Sequence, residues 1–432
     1  MTSFYKEFPT TTEQEWLEKV KVDLKGKSIE DVLHKTHPIE QVNYTSYGFA
    51  KENNKQHTTP GQASYSRGGR IENNDWNNCV FIPHGTPEEM NAFALKQLMN
   101  GATGLKIDLR EFTVKDLDKL SKDIGFEHIV STFYYSTKEQ FDWLKKLADE
   151  DKLYGTAINT ENASFGTLNN TRSVLVKAID VQYAGGNVTQ EIAYALFKGH
   201  EALYKLIENG HSIDDAAAKI KFQFGIGSNF FFELSKFKVF RSLWYTIVDA
   251  YSPEHACTSI PYIEAETGFL NKSLKDPNNN LLRQTTEALS AVLGGIDELT
   301  IRPYNAWSTD QSLEKTQRLG LNIALLLKEE SYLDKVIDPA GGAYVIEDIY
   351  SEVRNNAWKL FQRLEKEGSS FLTEEVHEVA NKRIQLINNK ENTLIGVNKY
   401  FNDDPSDIDW KVEVNTPFGA PLILEKDSKV EI

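Results

Sequence analysis

The feature that most constrains the fold of this chain is an alternation between short β-branched or aromatic runs and longer amphipathic segments, from about Asn77 to Pro303. This alternation is typical of repeated βα units and predicts a parallel sheet. The runs predicted as strands are 78–83, 105–109, 129–134, 154–158, 173–179, 220–224, 259–263 and 299–302. Since eight strands close a (β/α)8 TIM barrel, we expect that fold. An open doubly wound sheet is the alternative, because a strand count from sequence carries an error of one or two strands.

Helix start and stop signals support this interpretation. Thr86, Pro87 and Glu89 supply an N-cap hydroxyl, a proline at the first helical position and a carboxylate at the third, which together predict a capping box. That helix should end at Asn100-Gly101. A second apolar stripe between 188 and 207 predicts a long helix whose role is packing.

Two regions flank the predicted barrel. We divide the chain into an N-terminal arm (1–59), a barrel (60–335) and C-terminal helices with a tail (336–432). The arm contains one amphipathic helix (13–24), which must dock on the barrel or on another protein because a lone helix cannot bury its stripe. Helical patterns at 347–364 and 373–388 precede an irregular, charge-mixed tail from 402, which we expect to become ordered on a partner.

Composition limits the classes of partner. The formal net charge of -15 opposes nucleic acid and anionic lipid as main partners. The two cysteines, Cys79 and Cys257, have no metal-type spacing and fit a reducing compartment. No apolar run approaches the ~18 residues of a membrane span, and the N-terminus has no signal-peptide core. We therefore expect a cytoplasmic protein, although an organellar form without its transit peptide would look the same.

Six segments in a fixed order carry a family resemblance. They are PGQASYSRG (60–68), TPEEMNAFALKQLMNGATGLKIDL (86–109), FGIGSNFFFELSK (224–236), DPNNNLLRQTTEALSAVLGG (276–295), VIDPAGGAYVIE (336–347) and LIGVNKY (394–400). Together they resemble the barrel half of the adenosylcobalamin-dependent acyl-CoA mutases, above all the methylmalonyl-CoA mutase family. The resemblance covers most of the chain, from about Pro60 to Tyr400.

The resemblance implies a radical rearrangement of an acyl-CoA thioester. In that family the cobalt–carbon bond breaks homolytically, and the adenosyl radical takes a hydrogen from the substrate. The barrel closes around the thioester while a flavodoxin-like domain presents cobalt at the barrel mouth, which shields the radicals from water.

The family's substrate-handling positions carry different residues in this chain. Alignment on the surrounding motifs places its first-strand tyrosine on Phe81 and an arginine on Cys79. Its catalytic histidine falls on Asp180, an acceptor-only anion that would repel a thioester oxygen. Its strand-seven arginine falls on Pro261. For a further carboxylate-gripping arginine, Arg172 is the only candidate. This many replacements indicate that the chemistry has been lost, so we assign no catalytic, cofactor-binding or metal-binding residue.

The cobalt-ligand motif of the family, Asp-x-His-x-x-Gly, also has no counterpart. None of the nine histidines follows an aspartate by two positions. The chain continues for only some 30 residues after LIGVNKY, which is short of a cobalamin domain of ~120 residues. We therefore expect no cobalamin-binding domain and no cofactor in this chain.

The resemblance thus implies a small, non-catalytic subunit of a heterodimeric methylmalonyl-CoA mutase. A homologous large subunit would bind adenosylcobalamin and the acyl-CoA, and this chain would stabilise it, with its arm and tail wrapped around that partner. The alternative is a catalytic barrel chain of a split acyl-CoA mutase that uses cobalamin carried by a separate protein. A third interpretation, an unrelated barrel hydrolase that uses Asp180 or His84, has no supporting constellation. His84 is more simply a surface loop histidine.

Overall fold

A computed structural model describes residues 11–45, 59–161, 165–309 and 313–428. Its strands are β1 (His34–Thr36), β2 (Asn43–Thr45), β3 (Asn77–Phe81), β4 (Gly104–Asp108), β5 (Val130–Tyr135), β6 (Gly155–Asn159), β7 (Thr171–Arg172), β8 (Val174–Lys177), β9 (Ile220–Ile226), β10 (Tyr262–Thr267) and β11 (Glu298–Thr300). Its helices are α1 (Glu13–Asp23), α2 (Ile29–Leu33), α3 (Pro87–Met99), α4 (Val114–Leu120), α5 (Lys138–Asp149), α6 (Ile179–Tyr183), α7 (Val188–Glu208), α8 (Ile213–Ala218), α9 (Phe230–Asp249), α10 (Asn279–Leu293), α11 (Leu313–Leu325), α12 (Tyr344–Glu367), α13 (Leu372–Asn388) and α14 (Leu424–Asp427). Short 3-10 turns occupy Phe126–His128 and Ala256–Ser259, and a π-helical turn occupies Leu326–Glu330.

Nine parallel strands form a nearly closed barrel in the order β7-β6-β5-β4-β3-β11-β10-β9-β8. The two end strands, β7 and β8, are consecutive in the chain and are separated only by Ser173. Since β7 pairs with β6 and β8 pairs with β9, they act together as the fifth of eight strands. The predicted TIM barrel is thereby confirmed, and each of the eight predicted runs overlaps a strand.

The seventh barrel strand begins later than predicted. The sequence favoured 259–263, whereas β10 starts at Tyr262. Residues 256–259 form a 3-10 turn instead, and Pro261 has no N–H to donate to a ladder. The predicted helix signals are confirmed: Thr86 caps α3 with the Glu89 capping box, and α7 covers the predicted stripe.

The largest apolar core lies between the barrel wall and the helices α7, α9 and α12. Aromatic side chains dominate its centre, where the rings of Phe222, Phe240 and Trp244 make edge-on contacts. Helix α12 contributes Val353 and Ala357 to the same core. The C-terminal helices therefore pack as part of the barrel's outer layer.

The N-terminal arm contains an antiparallel hairpin, β1–β2, that the sequence did not predict. This hairpin rests on α12, where the Thr45 hydroxyl donates to the Asp348 carboxylate at 3.2 Å. Helix α1 is present at the predicted position, but it has no buried residue. Residues 46–58, in the last part of the arm, lie outside the described residues.

The tail packs on this chain's own barrel, which differs from the expectation that it would become ordered on a partner. We call residues 406–428 the C-terminal strap. Backbone hydrogen bonds connect the strap to the loops that follow β8, β10 and β11, at the C-terminal ends of the strands. The strap therefore lies on the face of the barrel that carries active sites in TIM-barrel enzymes.

Candidate functional site

Four charged side chains meet inside the barrel. Lys106 projects from β4 and Lys221 from β9, and both contact the Glu264 carboxylate of β10. Lys221 also pairs with Glu298 of β11. All four side chains are fully buried, at 0% exposure. Since β4 and β10 are not neighbours in the sheet, the Lys106–Glu264 pair crosses the interior.

Neutral side chains complete this interior network. The Lys221 ammonium donates to the Thr132 hydroxyl of β5 at 3.0 Å. The Gln223 amide donates to Glu264 at 3.1 Å and to Glu266 at 3.0 Å. A buried charge is costly unless it is both paired and hydrogen-bonded. Groups from strands on both sides of the interior meet most of that condition, although the buried Glu298 Oε1 atom has no hydrogen-bond partner among the described residues.

The network holds Lys106, Lys221 and Glu264 in their charged forms. Burial alone would raise the pKa of the Glu264 carboxyl. The charges of Lys106 and Lys221 outweigh this effect and lower that pKa to about 2. Burial alone would lower the pKa of Lys106, but the charges of Glu264 and Glu266 outweigh this effect and raise that pKa well above its usual range. The interior is therefore crossed by ionised pairs at neutral pH.

Phe81 lies at the C-terminal end of β3 and contacts the same network. Its ring centroid is 4.2 Å from the Arg302 guanidinium and 4.7 Å from the Lys106 ammonium, which are cation–π distances. Lys106 also pairs with Glu266 at 2.7 Å. Phe81 therefore fills space between cations of the protein itself.

Cys79 lies two residues earlier on β3, beside Glu298. Its Sγ is 3.5 Å from the Glu298 Oε2 atom. Burial, reinforced by the Glu298 charge, raises the pKa of the Cys79 thiol well above its usual range. The thiol is therefore a protonated, weakly donating group and not a nucleophile.

Arg172 closes the opposite, N-terminal end of the interior. It belongs to β7, and its guanidinium carbon lies 3.4 Å from the centroid of the Tyr262 ring at the start of β10. The sequence offered no clear equivalent of the family's further carboxylate-gripping arginine, and Arg172 was the only candidate. The structure places it in a stack with Tyr262, on the wall of an open depression of about 560 Å³.

Asp180 occupies the C-terminal end of the barrel, in the first turn of α6 after β8. Burial raises the pKa of this carboxyl to about 6, and the charge of Lys177 opposes part of that effect. At neutral pH Asp180 is mostly an anion. It can accept a hydrogen bond but does not polarise an oxygen as an imidazolium would.

Pro261 lies at the N-terminal end of β10, so it is separated from Asp180 by the length of the barrel. It borders a cavity of about 230 Å³ that also contains Arg67 and Arg241. Arg67 is paired with Asp338 at 2.7 Å, and Arg241 donates to the Gly294 carbonyl at 2.6 Å. Both arginines therefore already have hydrogen-bond or ion-pair partners within this chain.

His84 follows β3 and has a partner that the sequence did not reveal. Its Nε2 atom is 3.7 Å from Asp108, while Arg110 donates to the same carboxylate at 2.8 Å. The His84 side chain is 58% exposed. It is therefore a surface histidine beside an ion pair.

The interior charges are the residues that sequence reasoning missed. They are Lys106, Lys221, Glu264, Glu266 and Glu298. Their signal was present in part, because Lys106, Lys221 and Glu264 each lie between two apolar neighbours inside a buried strand, as in IKFQFGI for β9. A charged residue at alternate positions of a buried parallel strand indicates a charge that faces the barrel interior.

A second polar cluster holds the N-terminal arm on the barrel. The Glu40 carboxylate accepts from the Val188 amide at 2.9 Å, at the N-terminus of α7. Arg383 of α13 donates to the neighbouring Gly185 carbonyl at 2.8 Å. Burial raises the pKa of Glu40 to about 7, although Arg383 lowers it in part. Glu40 thus anchors the arm through a carboxyl that titrates near neutral pH.

Two further kinds of site, a metal centre and a membrane-spanning helix, were sought among the described residues. Within the described ranges, there is no group of three or more His, Cys, Asp and Glu side chains arranged to hold a metal ion. Across the same part of the chain, no helix combines the length and apolar character needed to span a lipid bilayer.

These features define a class, a parallel (β/α)8 barrel whose interior is bridged by its own ion pairs. Within that class the chain belongs to the methylmalonyl-CoA mutase family, whose model matches residues 34–125 and 156–416. The family is one of mutases, so isomerase chemistry is established at the level of the family.

Named relatives agree with this assignment. The methylmalonyl-CoA mutase small subunit of Porphyromonas gingivalis is 31% identical over 445 residues, which cover 92% of this chain and 71% of that protein. The methylmalonyl-CoA mutase of Rhizobium meliloti is 33% identical over 250 residues, which cover 55% of this chain and 34% of that protein. The mitochondrial enzyme of Homo sapiens is 25% identical, with coverage of 89% of this chain and 60% of that protein. This chain therefore spans only part of each relative. Among solved structures, dihydropteroate synthase of Burkholderia cenocepacia overlaps with a TM-score of 0.32 and 9% identity over 60% of this chain and 93% of the other, which adds nothing to the assignment.

Proposed function

We propose that this chain is the small, non-catalytic subunit of a heterodimeric methylmalonyl-CoA mutase. Its role is to stabilise a homologous large subunit that interconverts methylmalonyl-CoA and succinyl-CoA. The observation that carries the proposal is the ion pair between Lys106 and Glu264 across the barrel interior.

An acyl-CoA thioester needs continuous space to enter a barrel. Here Lys106, Lys221 and Glu264 occupy the middle of that space, and each is fully buried. To admit a ligand, the protein would have to break these pairs and leave charges unpaired in a low-dielectric interior. This cost favours a permanently filled barrel.

The side chains at the family's substrate positions support the same conclusion. Phe81 has no hydrogen-bonding group for a substrate carboxylate, and it is packed between Lys106 and Arg302. Asp180 would repel the negative charge that develops on a thioester oxygen. Neither residue can replace the tyrosine or the histidine that the resemblance implies.

We further propose that adenosylcobalamin and the acyl-CoA bind to the large subunit. None of this chain's nine histidines lies in the cobalt-ligand motif. The C-terminal strap covers part of the barrel face on which the resemblance would place cobalt. The residues present therefore do not fit the cofactor, and we assign this chain no step of the reaction. The cytoplasm remains the expected compartment.

Helix α1 supports the proposed partner. Its apolar stripe includes Leu17 and Val20, which are only half-buried, and no residue of α1 is fully buried. Hydrophobic stripes on surface helices are normally buried against another element. We infer that α1 packs on the large subunit.

Co-expression with a homologous chain that retains the cobalt-ligand motif tests the proposal. We expect a stable complex on size-exclusion chromatography, with mutase activity that requires the large chain. Asp180→His and Phe81→Tyr variants of this chain should leave the activity of the complex unchanged. Two results would count against us: a chain that stays monomeric beside that partner, or turnover by this chain with only adenosylcobalamin and a separate cobalamin-binding protein. The second result would establish the split-mutase alternative.

A further inference from the structure

The C-terminal strap is held on the barrel by specific hydrogen bonds, although its residues form almost no regular secondary structure. It crosses the ends of three barrel strands. After β11, the Lys411 amide donates to the Trp307 carbonyl at 2.8 Å. After β10, the Leu424 amide donates to the Leu270 carbonyl at 3.2 Å, and after β8 the Leu422 amide donates to Tyr183 at 2.7 Å.

Glu425 fixes the strap to the loop after β10. Its carboxylate accepts from the Leu274 amide at 2.9 Å and from the Lys275 amide at 3.2 Å. It also accepts from the Ser273 hydroxyl and, at 2.8 Å, from the Trp410 indole of the strap itself. Charge-assisted bonds of this kind are stronger than neutral ones. One carboxylate thus ties both halves of the strap to the barrel.

The inner surface of the strap is apolar. Ile423 is 4% exposed and packs with Ile179, Tyr183, Phe269 and Trp307 at the ends of the strands. Half-buried residues, Trp410, Val412 and Val414, extend this contact and alternate with exposed polar residues. Alternation with a period of two is the pattern of an extended chain with one buried face.

We propose that the strap is a built-in lid that keeps this side of the barrel's C-terminal face closed to any second domain or ligand. The inference does not depend on the proposed large subunit, because it concerns only contacts within this chain. Its physical basis is that the Glu425 carboxylate already accepts hydrogen bonds from the barrel loop, and that the apolar inner surface of the strap is already packed on the barrel. A domain that docked here would first have to break the hydrogen bonds of Glu425 and displace Ile423 from its buried site.

A thiol-accessibility experiment tests the lid. Ile179 is 2% exposed beneath Ile423, so Ile179→Cys in a Cys257→Ser background places a reporter under the strap. We expect slow labelling by a bulky maleimide in the otherwise unchanged protein. Adding Glu425→Ala should speed labelling at least tenfold. Adding Glu413→Ala should not, because Glu413 is a strap carboxylate whose side chain is 79% exposed.

Backbone hydrogen exchange on the unmodified chain gives a second measurement that requires no variant to fold. The amides of Lys411, Leu422 and Leu424 should exchange at least a hundredfold more slowly than unstructured amides. Fast labelling with the strap intact, or strap amides that exchange at unstructured rates, would overturn the proposal. Equal labelling in the Glu425→Ala and Glu413→Ala proteins would overturn the assigned role of Glu425.

Discussion

Lys106 and Glu264 form an ion pair that joins β4 to β10 through the inside of the barrel. Neither side chain has any exposure to solvent. Burying an ion pair removes two charges from water, so such a pair contributes little net stability over an apolar filling. Removing one partner is different, because the other charge stays buried and loses an interaction that offsets the cost of burying it. Opening the interior at this point would therefore break the pair between these two buried charges.

Replacing Lys106 with methionine should strongly destabilise the protein. Lys106→Met leaves Glu266 without its nearest cation and Glu264 with Lys221 alone, and we expect a loss of ~3–5 kcal/mol in the free energy of unfolding. Urea denaturation followed by circular dichroism measures it. Lys138→Met is the matched control, because the Lys138–Asp142 pair is about half exposed, and it should cost less than ~1 kcal/mol. Similar losses in the two variants would refute a special role for the interior pair.

The buried Glu40 carboxyl should make stability depend on pH. Its pKa is about 7 in the folded chain against 4.5 ordinarily, so the folded state binds an extra proton between these values. The associated stability is fully present below pH 4.5 and is lost as pH rises through 7, at about 1.4 kcal/mol per pH unit. Glu40→Gln should remove this slope.

The measurement for Glu40 is the difference in unfolding free energy between the wild-type and Glu40→Gln proteins from pH 5 to pH 8.5. Glu191, whose pKa burial also raises to about 7, is present in both proteins, so its effect cancels in the difference. A difference that does not change with pH would contradict the buried position of Glu40.

Gly155 should tolerate no side chain. A Cβ atom there would lie 1.9 Å from the Ser131 carbonyl oxygen, and its φ of +142° is unfavourable for alanine. We expect Gly155→Ala to lower the free energy of unfolding by at least ~2 kcal/mol. Gly210 has φ of +92° with nothing within 4 Å of a Cβ, so Gly210→Ala should cost only the backbone strain of about 1 kcal/mol. Comparison of their thermal melting temperatures separates the two effects.

Helix α1 should contribute to binding of the large subunit. Leu17 lies on the apolar stripe, and Leu17→Asp should weaken the complex at least tenfold without changing the stability of the isolated chain. Val22 is 70% exposed and lies off that stripe, so Val22→Asp is the matched control. Isothermal titration calorimetry with the large chain gives both affinities. Equal affinities in the two variants would remove α1 from the proposed interface.

Much of the barrel could be predicted because its signals are local. The Thr86–Glu89 capping box depends on residues three positions apart, and it set the start of α3 correctly. β-branched runs marked all eight barrel strands for the same reason. The hairpin β1–β2 was missed since its strands are only three residues long and mostly exposed, so they carry no apolar alternation.

The interior network was harder to predict because it depends on contacts distant in sequence. Lys106 and Glu264 are 158 positions apart, and only closure of the barrel brings them together. Alignment gave Phe81 as the replacement for a tyrosine, and its cationic neighbours Lys106 and Arg302 were not foreseen. The strap was missed for another reason. The alternation of Ile408, Trp410, Val412 and Val414 was present, but the charged residues between them suggested an irregular tail that becomes ordered on a partner.

The break at Ser173 gives the barrel one weak seam. Most adjacent strands share three or more paired residues, whereas β7 holds β6 through only two, Thr171 and Arg172. Mechanical opening of the cylinder should therefore start beside β6, where the fewest ladder bonds resist it. Because β7 continues directly into β8, such an opening would leave Arg172 on the same side as β9 and β10, where it keeps its contact with Tyr262.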